Sequence, residues 1–254
     1  MLILLPPSET KRVGGVPGTK LDLSLLRFPQ LKQLRATMVS AVRELARDTD
    51  ATVSALKLGP TQRGEVAHNR AVTTSATMPA VDRYTGVVFD ALDASSLPDQ
   101  SRAYLDDHLV IHSAILGPVG ALDPIPAYRL SHDSRVPGIR LKRHWAPTVS
   151  SVLTAHPGLI LDARSEGYAA LGPLHDATRS VFLRVVTTGD DGRRRALNHF
   201  NKHAKGALVR ELALSQAQIE STGDVIQWGA RHGFHFANGV GVGPGGIPEI
   251  ELVI

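Results

Sequence analysis

Met1-Leu-Ile-Leu-Leu-Pro-Pro-Ser-Glu-Thr-Lys11 is the stretch on which the reading of the fold turns. Its aliphatic run, stopped by Pro6 and Pro7, reads as a buried strand. The polar loop Ser8-Glu9-Thr10-Lys11 then stands where the strand emerges, the place at which α/β folds often carry their chemistry. No basic region precedes the run and no small-residue cleavage site follows it, so it does not read as a signal peptide.

Beyond this strand, Leu31, Leu34, Met38, Ala41, Val42 and Leu45 recur at spacings of three and four. Lys32, Arg35, Arg43 and Glu44 stand between them, which predicts an amphipathic helix from Phe28. Helices are expected over 51–58 and 65–75, divided by Gly59-Pro60, and short helices continue to Leu105. A β-branched run from His108 to Ser113 predicts a strand, after which Gly117-Pro118-Val119-Gly120 and Asp123-Pro124-Ile125-Pro126 impose turns. Leu159 to Ala163 and Val181 to Thr188 read as strands. Gly189-Asp-Asp-Gly192 is then a hairpin leading to Arg193 through Phe200.

Helical spacing returns from Ala204 to Leu214, and Ser215-Gln-Ala-Gln218 has the pattern of a capping box that starts another helix. Asn238 to Gly246 reads as a flexible connector, because it lacks the Gly-Lys-Ser/Thr ending of a phosphate loop. Ile250 to Ile254 is a last strand. With no repeat and no linker, these elements predict one α/β (α+β) domain over residues 1–254, a mixed central sheet flanked by helices.

The composition fits a folded chain. Hydrophobic residues make up 43% of the 254, enough for a sizeable core. The absence of Cys excludes disulfides, thiolate metal sites and cysteine nucleophiles. No apolar run approaches the ~18 residues of a membrane span, so the expected location is the cytoplasm. A net charge of +4 leans toward anionic partners without identifying one.

Three clusters carry the candidate chemistry. Ser8, Glu9 and Lys11 offer a hydroxyl, a carboxylate and an ammonium at a strand end, against the plain alternative of a solvated turn. Tyr128 to Trp145 holds Arg129, His132, Arg135, Arg140, Lys142, Arg143 and His144 against the single acid Asp133, a basic run between aromatics that could grip phosphates or simply face water. Lys202, Lys205 and Gly206 are expected at a helix start, where free N–H groups favour anions. His199 with His203, and His232 with His235, have helical spacing but no flanking carboxylate. Neither a metal site nor a cofactor is expected from them. Leu116 to Gly120 is also compatible with the glycine hairpin between two DNA-contacting helices.

Pro7-Ser8-Glu9-Thr10, Tyr84-Thr85-Gly86, Ser113 with Gly117 and Asp123, Tyr128-Arg129-Leu130, Ser165 with Tyr168, and Lys202 through Gly206 follow one another in an order and spacing that resembles the YaaA peroxide-stress family across nearly the whole chain. The resemblance implies a DNA-binding protein of the oxidative-stress response, holding duplex or distorted DNA in a basic cleft of Lys11, Arg129, Lys142, Lys202 and Lys205. The alternative is an enzyme acting on a small anionic or nucleotide-like substrate, with Ser8, Glu9, Lys11, Ser165 and Tyr168 as candidate catalytic residues. Glu9 discriminates between them, since a carboxylate repels phosphate in a DNA cleft but can serve as base, or orient a lysine, in a pocket.

Overall fold

In the computed structural model the chain is described over residues 1–188, 194–196 and 199–254, with the backbone alone at 194–196 and 199–200. Its strands are β1 (Leu2–Leu5), β2 (Met78–Pro79), β3 (Leu109–Ser113), β4 (Gly117–Gly120), β5 (Pro124–Ile125), β6 (Ile160–Asp162), β7 (Ser180–Thr188), β8 (Arg194–Ala196), β9 (His235–Val242) and β10 (Pro248–Val253). The helices are α1 (Lys32–Leu45), α2 (Thr49–Leu56), α3 (Val66–Arg70), α4 (Ala80–Arg83), α5 (Val87–Leu92), α6 (Asp99–His108), α7 (Leu141–Thr154), α8 (Glu166–Ala169), α9 (His199–Leu214) and α10 (Thr222–Arg231).

The main sheet runs β4-β3-β1-β6-β7-β10-β9, and β8 pairs with the end of β7. Its five inner strands, β3, β1, β6, β7 and β10, are parallel, whereas β4, β8 and β9 pair antiparallel. A parallel strand covered on both faces has to be apolar along its whole length, and β1 and β3 are buried at every residue. The expected mixed sheet flanked by helices is therefore present. Counted among themselves, the parallel strands follow the order 2-1-3-4-5 of a doubly wound sheet. The order reverses between β1 and β6, where Leu4 lies opposite Asp162.

Several local expectations are corrected. Gly117 to Gly120 is a strand rather than a turn: Ile111 pairs with Val119 and Ser113 with Gly117, so this segment forms a sheet edge and not a hairpin between two helices. Asn238 to Val242 is no flexible connector but part of β9, whose glycines allow close approach. A Cβ at Gly239 would stand 2.5 Å from that of Glu249. Ser215 to Gln218 starts no helix, and the capping box is formed by Ser221 and Asp224 one turn later. Helix α9 begins at His199, so Lys205 and Gly206 lie in its second turn, where their amides serve the helix and are not free for an anion. His232 ends α10 and His235 begins β9, so that pair shares no helical face. The hairpin turn 189–193 lies outside the described residues.

Arg35, expected on the polar face of α1, points into the core. Its Nε donates to the Leu116 carbonyl at 2.8 Å, and one terminal nitrogen donates to Arg27 and Pro118 carbonyls at 2.7 Å each, tying the helix to the β4 edge. Helices α5 and α9 meet backbone to backbone, because a Cβ at Gly206 would lie 2.1 Å from the Val88 carbonyl oxygen. Among the described residues, no helix is long and apolar enough to cross a membrane.

Candidate functional site

The loops that leave β1 and β6 flank the switch point of the sheet, and a cavity of about 470 Å³ opens there. Pro6 to Thr10 form one side, Thr85 to Phe89 a second, and Ser131, His132, Ser165 and Tyr168 a third, with Lys202 at its border. The strand-end loop read from the sequence thus lines the cavity, as do Ser165 and Tyr168. The Ser8 and Thr10 hydroxyls lie 3.2 Å apart, and Thr85 donates to the Thr10 hydroxyl at 3.0 Å. Ser165 precedes α8 with an exposed side chain that makes no cap bond, which leaves its hydroxyl for the cavity.

The five expected cations are not alike. Lys11 turns beneath the loop: its Nζ donates to the carbonyls of Ser8 at 2.9 Å and Glu9 at 3.2 Å, and lies 3.9 Å from the centroid of the Tyr128 ring. Although the stem keeps some accessible surface, burial of the amine lowers its pKa to about 7. Arg129 and Arg83 push the same way, and Glu65 and Glu9 oppose them.

Arg129 is locked between two carboxylates, donating to Glu9 and, at 3.1 Å, to Glu65. Its backbone is clamped by Asn69, which donates to the Arg129 carbonyl at 2.8 Å and accepts from its amide at 2.7 Å. Lys205 is buried, and burial brings its pKa down to about 8, with Asp162 opposing and Arg184 adding to the fall. Lys142 lies elsewhere, on the first turn of α7. Only Lys202 among the five is both exposed and at the cavity.

Behind the cavity wall runs a chain of hydroxyls. The Leu116 amide donates to Ser113 Oγ at 3.1 Å, Ser113 donates to the Tyr128 phenol at 2.8 Å, and Tyr128 and Tyr84 share a 2.8 Å hydrogen bond. Burial raises the pKa of Tyr84, Tyr128 and Tyr168, so all three phenols stay protonated at neutral pH and can act as donors. Below Tyr168, the fully buried Arg164 forks onto both oxygens of Asp162 at 2.8 and 2.6 Å, reaches the Gly172 carbonyl at 3.0 Å, and meets His112 Nδ1 at 2.8 Å. Burial and the Arg164 charge hold the His112 pKa well below its usual value, so this ring is neutral.

Sequence reasoning gave Thr85 no role at the site beyond its place in the Tyr84-Thr85-Gly86 segment, and it missed Glu65, Asn69 and the Asp162–Arg164–His112 network. An acid inside the apolar run Leu159 to Ala163 was the available signal for the last, because a charge is placed there only with a partner. Among the described residues, no group of three or more His, Asp or Glu side chains could hold a metal ion.

A doubly wound sheet with a hydroxyl-lined crevice at its switch point defines the α/β class, in which such crevices at the carboxyl ends of the strands are the usual place for a ligand. The family described as Peroxide stress protein YaaA matches residues 1–239, and the chain belongs to it. Its relatives include a UPF0246 protein of Corynebacterium glutamicum, 41% identical over 231 residues that cover 89% of this chain and 90% of that one. Another is a UPF0246 protein of Streptomyces coelicolor, 36% identical over 233 residues, 89% of this chain and 88% of that one.

Proposed function

We propose that this member of the peroxide-stress family acts on a small anionic, nucleotide-like substrate in the switch-point cavity. The observation that carries this reading is the fate of the cations. Phosphate-backbone binding needs positive charge on an open surface, and here Lys11 lies beneath a loop, Arg129 is spent on two carboxylates and Lys205 is buried. What remains open to the cavity is Lys202 with the hydroxyls of Ser8, Thr10 and Ser165, beside the apolar wall of Pro6, Val88 and Phe89. That combination suits a compact body with one anionic head. Tyr168 is the donor for charge that develops on the substrate, and Glu9, oriented by Arg129, is the carboxylate that takes a proton.

Calorimetry with nucleoside monophosphates and inorganic phosphate as probes tests the reading. Lys202→Glu is expected to weaken binding about tenfold or more while leaving the melting temperature nearly unchanged, since the side chain is exposed and a charged hydrogen bond contributes ~1.5–3 kcal/mol. Failure of every probe to bind the native chain would overturn the reading.

DNA binding is the second reading. It is supported by the exposed Arg135, Arg140 and Lys142, which border a neighbouring depression. Titration of labelled duplex at two salt concentrations decides it: the affinity has to fall steeply with salt and weaken in Lys142→Glu.

A further inference from the structure

Next to the cavity lies a second depression of about 460 Å³, lined by His132 to Val136, Ile139 to Lys142 and the flank of α8. His132 borders both. Its ring stands 5.0 Å from that of Tyr168 and packs so closely on Gly167 that a Cβ there would lie 2.3 Å from its Cδ2 and Nε2. The partition between the two hollows is therefore part of the packing, with no space for a side chain behind it.

The hollows differ in charge. Among the described lining residues of the cavity, Lys202 is the one exposed cation, and the one carboxylate there, Glu9, is paired with Arg129. The second hollow presents three exposed cations, Arg135, Arg140 and Lys142. Its acid, Asp133, is taken by Lys57 at 2.8 Å, and that bond holds the carboxyl below its usual pKa. Solvated surface cations are common, but here three of them line one concavity whose carboxylate is already neutralised. A monophosphate needs only Lys202. A chain of phosphates carries more charge than one lysine can balance, and guanidinium forks match phosphate oxygens in geometry.

We infer that the depression beyond His132 is a second anion subsite, which holds the terminal phosphates of a nucleoside polyphosphate whose base-bearing end sits in the switch-point cavity. This assignment rests on the cavity reading above. It makes the number of phosphates the specificity rule of the site, with Arg140 and Lys142 as its determinants and His132 as the marker between the two halves.

The test uses the full chain without divalent cations and calorimetric titration of adenine and guanine mono-, di- and triphosphates. The native protein is expected to bind triphosphates at least tenfold more tightly than monophosphates. Arg140→Glu combined with Lys142→Glu is expected to abolish that difference and leave monophosphate affinity unchanged, while Lys202→Glu weakens both. Both altered positions are exposed, so the fold is retained, and the melting temperature checks this. An unchanged triphosphate-to-monophosphate ratio in the double variant, with Lys202→Glu still weakening both, overturns the subsite and spares the cavity. Absence of binding by every nucleotide overturns both readings. A duplex that outcompetes the triphosphate and loses affinity in the double variant overturns the nucleotide assignment in favour of a DNA strand.

Discussion

Arg164→Met is expected to destabilise the fold by about 3–5 kcal/mol, the loss typical of breaking a buried ion pair on one side. Arg164 is wholly buried and serves Asp162 through three hydrogen bonds, two from its guanidinium and one from its own amide at 3.1 Å. Removing the guanidinium leaves a carboxylate that is 1% exposed without its counter-charge. His112 loses its partner on Nδ1 as well, and its Nε2 is already unpaired. A second substitution, Asp162→Leu, should restore much of the loss in the Arg164→Met background, because a buried pair exchanged for apolar groups of similar size is often neutral. Urea unfolding measures both variants. A cost below about 1 kcal/mol for the single variant, or no recovery in the double, would show that the pair is not what anchors β6.

Lys205→Met should act in the opposite direction and only over part of the pH range. The folded pKa of about 8 lies below the usual lysine value of about 10.4 in the unfolded chain. Between those two values the unfolded chain binds more protons than the native one, so stability contributed at this position rises with pH from about 8 to about 10.4. Below pH 8 the amine is charged in both states and the full burial cost applies, about 3 kcal/mol as an upper limit. Methionine has a similar length and no charge to bury. The variant is therefore expected to be more stable than the native chain by about 2–3 kcal/mol at pH 6.5, with the gain shrinking toward zero at pH 10. Denaturant midpoints at the two pH values check this, and a less stable variant at pH 6.5 would refute it.

How far the sequence discloses this protein depends on whether the deciding interaction is local. Met1 to Leu5, His108 to Ser113 and Leu159 to Ala163 were legible as strands, since a buried parallel strand is dominated by apolar residues on both faces. Helix α1 was legible because its apolar face repeats at helical spacing. Strand β9 was not, since Gly239 and Gly241 carry no hydrophobic signal; their role is the space that Glu249 fills from the neighbouring strand. The buried Arg35 was missed for a similar reason, as two of its carbonyl partners, Leu116 and Pro118, lie about 80 residues away at the β4 edge. Ser8 and Glu9 were singled out from their place after a strand, Lys202 from the basic segment Lys202 to Gly206, and Ser165 and Tyr168 through the family resemblance; the structure places all five around one cavity. The state of Lys11, Arg129 and Lys205 was unreadable, because burial and pairing are properties of the assembled fold.

The contact between Gly206 and Val88 has a mechanical meaning. Lys202 rides on the same helix as Gly206, and Val88 belongs to the apolar wall across from the Ser8 loop. Two helices that touch through their backbones have no cushion of side chains to slide on, so Lys202 and that wall form one rigid jaw. The far side of the cavity is equally set, because the His132 ring is packed on Gly167, so the separation of the α9 backbone at Lys202 from that partition is a property of the fold itself.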